Sequence, residues 1–230
     1  GSDNIVYTSA IQSDGKIIIG GSFTNVNGVA RTRVARINTD GSADLTFTTG
    51  SGANNVVFTT AIQSDGKILI GGAFATYSVT ASNRIARLNT NGSLDATFTL
   101  GTGANAVIEK IQIQSDDKIV ITGDFTAYNG TGINRLARLN TNGTIDPAFI
   151  VGTGVNDFVK TCALQTDGKI IIGGGFISYN GSARTRIARV NTDGSIDATF
   201  GYSTGANGII RTSYILPNSK IAFGGDFSTY

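Results

Sequence analysis

The stretch AIQSDGKILIGGAF, residues 61–74, decides the fold of this chain. Two apolar, β-branched runs flank the turn Ser64-Asp65-Gly66-Lys67, and Asp-Gly between such runs is a strong signal for a β-hairpin. We expect a type I′ turn here, in which both central residues have positive φ. Related stretches lie at residues 10–23, 112–125, 163–176 and 214–227, so the pattern returns every 51 residues.

This period runs through nearly the whole chain without an insertion. It relates the lysines that follow the turn, and it equally relates a set of phenylalanines: Lys16, Lys67, Lys118, Lys169 and Lys220; Phe23, Phe74, Phe125, Phe176 and Phe227. Self-similarity at such a period is typical of repeat architectures. The sequence therefore predicts one domain over residues 1–230, with repeats at 1–51, 52–102, 103–153 and 154–204 and a half repeat at 205–230.

The second half of each unit contains another turn signal. After a loop of about nine residues, the stretch RIARLNTNGSLDATF at 84–98 predicts a third strand, a turn at Asn91-Gly92 and a last strand around Leu94 to Phe98. Four antiparallel strands in a unit of this length are typical of a propeller blade, which covers its faces by stacking on its neighbours. We expect an all-β, five-bladed β-propeller whose inner strands all close into a ring and whose last blade is incomplete. A four-bladed ring, a fragment of a larger propeller and a solenoid are the alternatives.

The segments at 63–72 and 84–95 resemble the delta-60 repeat of bacterial β-propeller proteins and, more distantly, NHL and kelch blades. The resemblance implies a large secreted or surface-exposed bacterial protein, hence an extracellular location, and no assigned catalytic residues. Two units depart from the pattern. Asp117 replaces the turn glycine in the third unit, and LPNSK at 216–220 replaces the whole turn in the fifth. We expect a different turn geometry at both places.

Composition removes several classes of function. The chain has 230 residues, no histidine, methionine or tryptophan, and one cysteine, Cys162. A Ser-His-Asp triad, histidine-ligated zinc and a disulfide framework are therefore excluded. The apolar runs are too short for membrane insertion, and a net charge of +2 with evenly spaced arginines predicts no nucleic-acid partner.

No cofactor and no metal is expected. The Gly-Gly doublets precede no helix that could hold a phosphate. The loop at 38–44 has oxygen-bearing side chains at alternating positions, as calcium loops do. A hairpin turn capped by Asx side chains explains the same residues. The sequence leaves both readings open and favours the turn.

One set of charged residues repeats faithfully and is predicted to be structural. Arginines that alternate with apolar residues on a doubly covered strand need acidic partners, because an unpaired buried charge costs several kcal/mol. The arginines and their candidate partners are Arg36, Arg87, Arg138 and Arg189, with Asp44, Asp95, Asp146 and Asp197.

Another set differs between units although its flanks stay the same. On the first strand of each unit, nearest the axis of a propeller, the equivalent residues are Tyr7, Phe58, Glu109, Lys160 and Arg211. Two aromatic rings, one carboxylate and two cations around one channel end suit a polar ligand such as a glycan. We take this set as the candidate ligand site. Freely drifting, solvated residues would give the same pattern.

These observations favour a non-enzymatic binding, adhesion or scaffold module with a glycan or protein ligand. The alternative is a carbohydrate-active enzyme that uses funnel carboxylates, for which Glu109, Asp124 and Asp157 are the non-repeated candidates. The half repeat also leaves the strand from Lys220 to Phe227 without an outer hairpin. We expect self-association through this edge, because a bare strand edge is a pairing site.

Overall fold

The structure is a computed structural model that describes residues 1–201 and 205–230. Every regular element in this part of the chain is a β-strand, and none of it forms a helix that could cross a membrane. Each full unit contributes five strands. The first unit has β1 (Val6–Ile11), β2 (Ile17–Gly21), β3 (Asn25–Val26), β4 (Val29–Ala30) and β5 (Val34–Ile37).

The other units repeat this order. The second has β6 (Val57–Ile62), β7 (Ile68–Gly72), β8 (Thr76–Tyr77), β9 (Thr80–Ala81) and β10 (Ile85–Leu88). The third has β11 (Ile108–Ile113), β12 (Ile119–Gly123), β13 (Ala127–Tyr128), β14 (Thr131–Gly132) and β15 (Leu136–Leu139). The fourth has β16 (Val159–Leu164), β17 (Ile170–Gly174), β18 (Ser178–Tyr179), β19 (Ser182–Ala183) and β20 (Ile187–Val190), and the half repeat has β21 (Ile210–Ile215) and β22 (Ile221–Gly225).

Each unit folds as an antiparallel meander, as the repeat predicts. In the first unit the strand order is β1-β2-β5, and Ile37 of β5 then pairs with Ala43 through a single bridge. The predicted fourth strand is therefore present, but shorter than expected. In the second unit only Leu94 of the expected strand pairs, with Leu88, and the chain turns soon afterwards.

The first turn of each unit differs from the predicted type I′ turn. Gln12 donates from its amide to the Lys16 carbonyl over 2.8 Å, which leaves a three-residue loop, and Gly15 has a φ of +82° while Asp14 is not left-handed. This is the hairpin with a bulge glycine, so one left-handed residue suffices. The turns of the third and fifth units, which lack this glycine, were expected to differ but have the same geometry. Asp117 has a φ of +60° and Ser219 one of +62°.

Type I′ turns occur instead at the tip of a short ribbon, in the segment predicted to be a loop. Strands β3 and β4 form this ribbon in the first unit, and the tip residues Asn27 and Gly28 have φ values of +52° and +80°. In the second unit the tip is Ser78 and Val79, with φ values of +44° and +64°. The buried Tyr77 hydroxyl anchors this ribbon by donating to the Gly92 carbonyl over 2.8 Å.

The core lies between consecutive sheets. Ile18 of the first unit packs in one cluster with Val57, Ile68 and Ile70 of the second. Gly20 permits this approach, because a Cβ at that position would lie 2.6 Å from a methyl group of Val57. The Thr8 hydroxyl accepts a hydrogen bond of 3.1 Å from the Thr60 amide across the same interface. Stacking thus combines apolar burial with a polar contact that fixes the register.

Five units stack, which confirms the predicted all-β propeller with an incomplete last blade, but the expected closure of the inner strands into a ring is not found among the described residues. First strands pack in succession, β1 on β6, β6 on β11, β11 on β16 and β16 on β21, and no comparable packing joins β21 back to β1. Val6 is consequently 40% exposed, whereas its equivalent Val57 is fully buried. Tyr214 of β21 is 66% exposed on the opposite open face. The angle between stacked sheets, which repeat spacing does not encode, decides closure.

Candidate ligand site

The divergent first-strand residues occupy one backbone feature in every unit. Pairing of β1 with β2 shifts register between Val6 and Thr8, so Tyr7 is the extra residue of a β-bulge. The same shift occurs in the other four first strands. A bulge bends its strand and re-aims a side chain, and bulges are common next to binding sites. We call these residues the bulge row: Tyr7, Phe58, Glu109, Lys160 and Arg211.

Two pairs of consecutive residues in the bulge row are in contact. The Tyr7 and Phe58 rings pack edge to face with their centroids 5.2 Å apart, and Tyr7 remains 48% exposed. The Glu109 carboxylate forms an ion pair with the Lys160 ammonium of the next unit. The Lys160 ammonium also lies 5.3 Å from the centroid of the Phe158 ring. The fold therefore brings four of the five residues into an aromatic pair and an ion pair.

Arg211 instead bonds within its own unit. Its Nε and Nη2 donate to the two carboxylate oxygens of Asp226 over 2.7 and 2.6 Å. The side-chain hydrogen bonds from Arg211 lower the pKa of Asp226. Both side chains are about half exposed, so this pair contributes little to stability but keeps both charges beside the bulge of the fifth unit.

Asp226 belongs to a second divergent column that sequence reasoning did not join to the first. Its equivalents in the preceding units are Ser22, Ala73, Asp124 and Gly175. In the third unit Ile108 pairs with Gly123, so Glu109 and Asp124 follow directly on paired residues, as Arg211 and Asp226 do in the fifth. The Asp124 Oδ1 atom is buried and has no hydrogen-bond partner in the described part of the chain. Divergence between units was the signal that could have revealed this column.

Asp157 lies apart from these contacts, because its Oδ1 accepts a hydrogen bond of 2.8 Å from the Phe158 amide in its own loop. The neighbours Thr8, Thr59 and Thr161 face the next sheet, where each hydroxyl accepts from a backbone amide. Lys110 breaks this series, and Thr212 lies on the exposed face of the last unit. These threonines are part of the stacking interface.

The repeated charges lie on the outer strands and form what we call the ion clusters. In the first, Asp44 Oδ2 accepts from Arg36 Nε over 2.8 Å and from Lys16 Nζ over 2.7 Å, while Oδ1 accepts from the Thr46 amide and hydroxyl. Arg36 also donates to the Thr90 carbonyl of the next unit over 2.7 Å. The arginine-to-aspartate distances of the other clusters are 2.8 Å for Arg87 and Asp95, 2.7 Å for Arg138 and Asp146, and 2.8 Å for Arg189 and Asp197.

The clusters hold their aspartates in the charged form. Burial acts to raise the pKa of Asp44, but the hydrogen bonds from Lys16, Thr46 and Arg36 outweigh it and keep this pKa well below its usual range. The Arg36 guanidinium stacks 4.8 Å from the centroid of the Phe47 ring. The lysine that follows the first turn is thus a cluster member that sequence reasoning did not assign, although its spacing of 51 residues was visible.

The loop at 38–44 is a capped hairpin turn. Asp40 Oδ1 accepts from the Ser42 amide over 2.9 Å and from the Ser42 hydroxyl over 2.6 Å. These bonds lower the pKa of Asp40. Within the described ranges, no three His, Cys, Asp or Glu side chains converge on a point that could hold a metal ion.

Comparison with solved structures shows the same fold at low sequence identity. The extracellular domain of a hybrid two component system from B. thetaiotaomicron aligns with a TM-score of 0.60 and 16% identity over 95% of this chain and 26% of that one. Virginiamycin B lyase from Staphylococcus aureus aligns with a TM-score of 0.52 and 17% identity, over 95% of this chain and 69% of the lyase chain. A gluconolactonase from Xanthomonas campestris aligns with a TM-score of 0.59 and 12% identity, over 94% of this chain and 68% of the gluconolactonase chain. The chain thus spans about a quarter of the first neighbour and about two thirds of the others.

No protein of curated function matches the sequence. A family profile described as "Domain of unknown function (DUF5122) beta-propeller" matches residues 12–47, 63–98, 114–149 and 165–200, one segment in each full unit. Each matched segment runs from the first turn to the phenylalanine of the ion cluster. The chain belongs to this DUF5122 β-propeller family.

Proposed function

We propose that this chain is a non-enzymatic binding module of an extracellular bacterial protein and that the bulge row is its ligand site. The stacked sheets supply a rigid frame, and the bulges present five different side chains from equivalent backbone positions. Rigid scaffolds that carry variable side chains are a common basis for recognition.

The observation that carries the proposal is the contrast in chemistry along the row. The exposed Tyr7 ring next to Phe58 offers an apolar platform for a sugar face. The Glu109–Lys160 pair offers hydrogen-bond acceptors and donors. A few polar groups beside aromatic rings are typical of sites for polar ligands. We therefore favour a glycan over a protein as the ligand.

Two likenesses support an extracellular or cell-surface location. Solved structures with this fold include extracellular domains of B. thetaiotaomicron proteins. The resemblance of the turn and outer-strand segments to delta-60 repeats points to secreted bacterial proteins. Immunodetection of the protein on intact and on lysed cells would test the location, and a signal found only after lysis would contradict it.

A glycan array, followed by titration calorimetry of any ligand it identifies, tests the binding site. We expect Phe58→Ala combined with Lys160→Ala to weaken binding at least tenfold, because it removes one ring of the platform and the donor of the ion pair. Leu45→Ala, at a residue 67% exposed outside the row, is the matched control and should bind as the wild type does. Unchanged affinity in the double variant would refute the assignment.

A second candidate function is that of a carbohydrate-active enzyme. The unpartnered Asp124 Oδ1 and the equivalent placement of Glu109 favour it, since glycoside hydrolysis uses two carboxyl groups about 5 to 10 Å apart. Neighbours in fold also include a lyase and a gluconolactonase. A sensitive product assay on array-positive glycans separates the two functions. An enzyme would release product and lose turnover in Glu109→Gln, whereas a binding module would release none.

A further inference from the structure

A second recognition feature lies at the opposite end of the first strands, where the three-residue turns of neighbouring units face each other across clefts. Between the second and third units the cleft is occupied by the chain itself. The Asp117 carboxylate accepts from the Ser64 amide over 2.9 Å and also from the Ser64 hydroxyl. These hydrogen bonds lower the pKa of Asp117. The pair shows how a carboxylate is held between two turns.

The neighbouring cleft has the equivalent serine donors but no carboxylate at the position of Asp117. Ser13 is the equivalent of Ser64, and Gly66 stands at the position of Asp117. Gly66 has a φ of +82° and Asp117 one of +60°, so both turns have the same left-handed backbone. Ser13 donates no hydrogen bond from its amide or hydroxyl to any described residue. The cleft has a volume of about 560 Å³, against about 320 Å³ where Asp117 is present.

One arginine and two aspartates line this cleft. Each ion cluster contains two cations and one carboxylate, and Arg36 of the first cluster lines the cleft beside Ser13 and Thr90. The two aspartates are Asp14 and Asp65. Asp65 also lines the second cleft, where its charge does not prevent the Asp117 carboxylate from binding between the turns. Gln12 also lines this cleft, and its buried Oε1 has no partner among the described residues. Rotation of this amide presents Nε2 as a further donor.

We propose that the cleft between the first and second units, formed by Ser13, Gly66 and Arg36, binds a carboxylate of an acidic ligand in the way that Ser64 binds Asp117. The ligand class is a compact carboxylate, either a uronic acid of a glycan or the C-terminus of a peptide. Between the third and fourth units, Ser115 faces Gly168 across a smaller cleft of about 300 Å³ that no arginine lines. That cleft is a weaker site of the same kind.

Amide chemical shifts of the full chain test this directly, with sodium acetate as the probe and sodium chloride at equal ionic strength as the control. In the wild type we expect a saturable shift of the Ser13 amide, a weaker response at Ser115 and none at Ser64. Methyl glucuronate and N-acetylglycine then distinguish the two sources of the carboxylate by which one saturates Ser13 at lower concentration. A Ser13 amide that responds to acetate only as it does to chloride overturns the proposal.

Exchange of the turn residues gives a reciprocal test. Gly66→Asp should fill the cleft and weaken the Ser13 response at least tenfold, while Gly66→Asn is the uncharged control of similar size and should weaken it less. Asp117→Gly should open the second cleft and give Ser64 a response that the wild type lacks. Melting curves of the three variants confirm folding before titration. A folded Asp117→Gly variant without a Ser64 response would overturn the proposal.

Discussion

The ion clusters and the bulge row lie on the same stacked sheets and differ in what changes between units. In the clusters an arginine, a lysine and an aspartate recur with arginine-to-aspartate distances of 2.7 to 2.8 Å in all four units. In the bulge row the β-bulge recurs in every unit, but the side chain at the bulge differs from unit to unit. Three clusters also link their unit to the next, because Arg36, Arg87 and Arg138 donate to the carbonyls of Thr90, Thr141 and Thr192. The bulge residue leaves the sheet, and stacking places few demands on its identity.

Removal of one cluster arginine should have the largest effect. Arg87→Ala leaves the buried Asp95 with Lys67 as its remaining cation, and an incompletely paired buried carboxylate costs about 1 to 3 kcal/mol or more. We expect the melting temperature to fall by several degrees, at about 2 to 4 °C per kcal/mol for a chain of this size. Calorimetry measures it.

Arg211→Ala is the matched control, because it removes an arginine from an equally well aligned but exposed pair of the fifth unit. Exposed pairs contribute about 0 to 1 kcal/mol, so its melting temperature should stay close to that of the wild type. Equal losses in the two variants would remove the distinction between clusters and bulge row.

The second largest effect should be a loss of stability in acid, when the cluster aspartates become protonated. The pKa values of Asp44, Asp95 and Asp197 lie below those of the unfolded chain. Their contribution to stability is therefore complete above the unfolded pKa of about 3.9 and is lost as the pH falls below it toward the folded values. We expect the melting temperature to drop steeply between about pH 4 and pH 2.5. Asp95→Asn should melt lower at pH 7 and show a shallower acid drop, and an unchanged slope would contradict the linkage.

The ribbon tips provide a third region, in which variation has a cost. Val79 is 86% exposed and left-handed, at a position where the equivalent tips have Gly28, Gly130 and Gly181. A left-handed β-branched residue costs roughly 1 to 2 kcal/mol. Val79→Gly should raise the melting temperature by about 2 to 8 °C, and Gly130→Val should lower it by a similar amount. Melting-temperature changes of opposite sign in the two variants would show that backbone conformation, and not ligand contact, limits which residues can stand at the ribbon tips.

The smallest effect concerns the half repeat. Strand β22 has β21 as its one partner within the described sheet, while its equivalents β2, β7, β12 and β17 lie between two strands. We propose weak antiparallel self-association of two such edges, which closes about a two-fold axis. Ala222→Pro should reduce it, because proline removes a ladder donor. Sedimentation velocity over a range of concentrations measures it, and a strict monomer at high concentration would contradict it.

Sequence reasoning located the bulge row by divergence alone, but it could not say which members meet. Glu109 and Lys160 are 51 residues apart and pair because stacking sets equivalent positions side by side. Arg211 pairs with Asp226 because they stand at the end of one hairpin. Turn type was equally out of reach, since Asp-Gly suits both hairpin geometries and the hydrogen bond from Gln12 to Lys16 selects one.

The sequence by itself determined the repeat, the hairpins and the need for stacking, because these follow from spacing, local turn chemistry and apolar runs that no isolated sheet can cover. Only the tertiary structure decided that β21 does not pack on β1, that Ser13 and Gly66 line one cleft and that Asp117 fills the next cleft. Those features depend on the angle and distance between sheets. The angle and the distance between sheets result from the packing of many side chains, such as Val57 against Gly20. No short stretch of sequence encodes the combined result of these contacts.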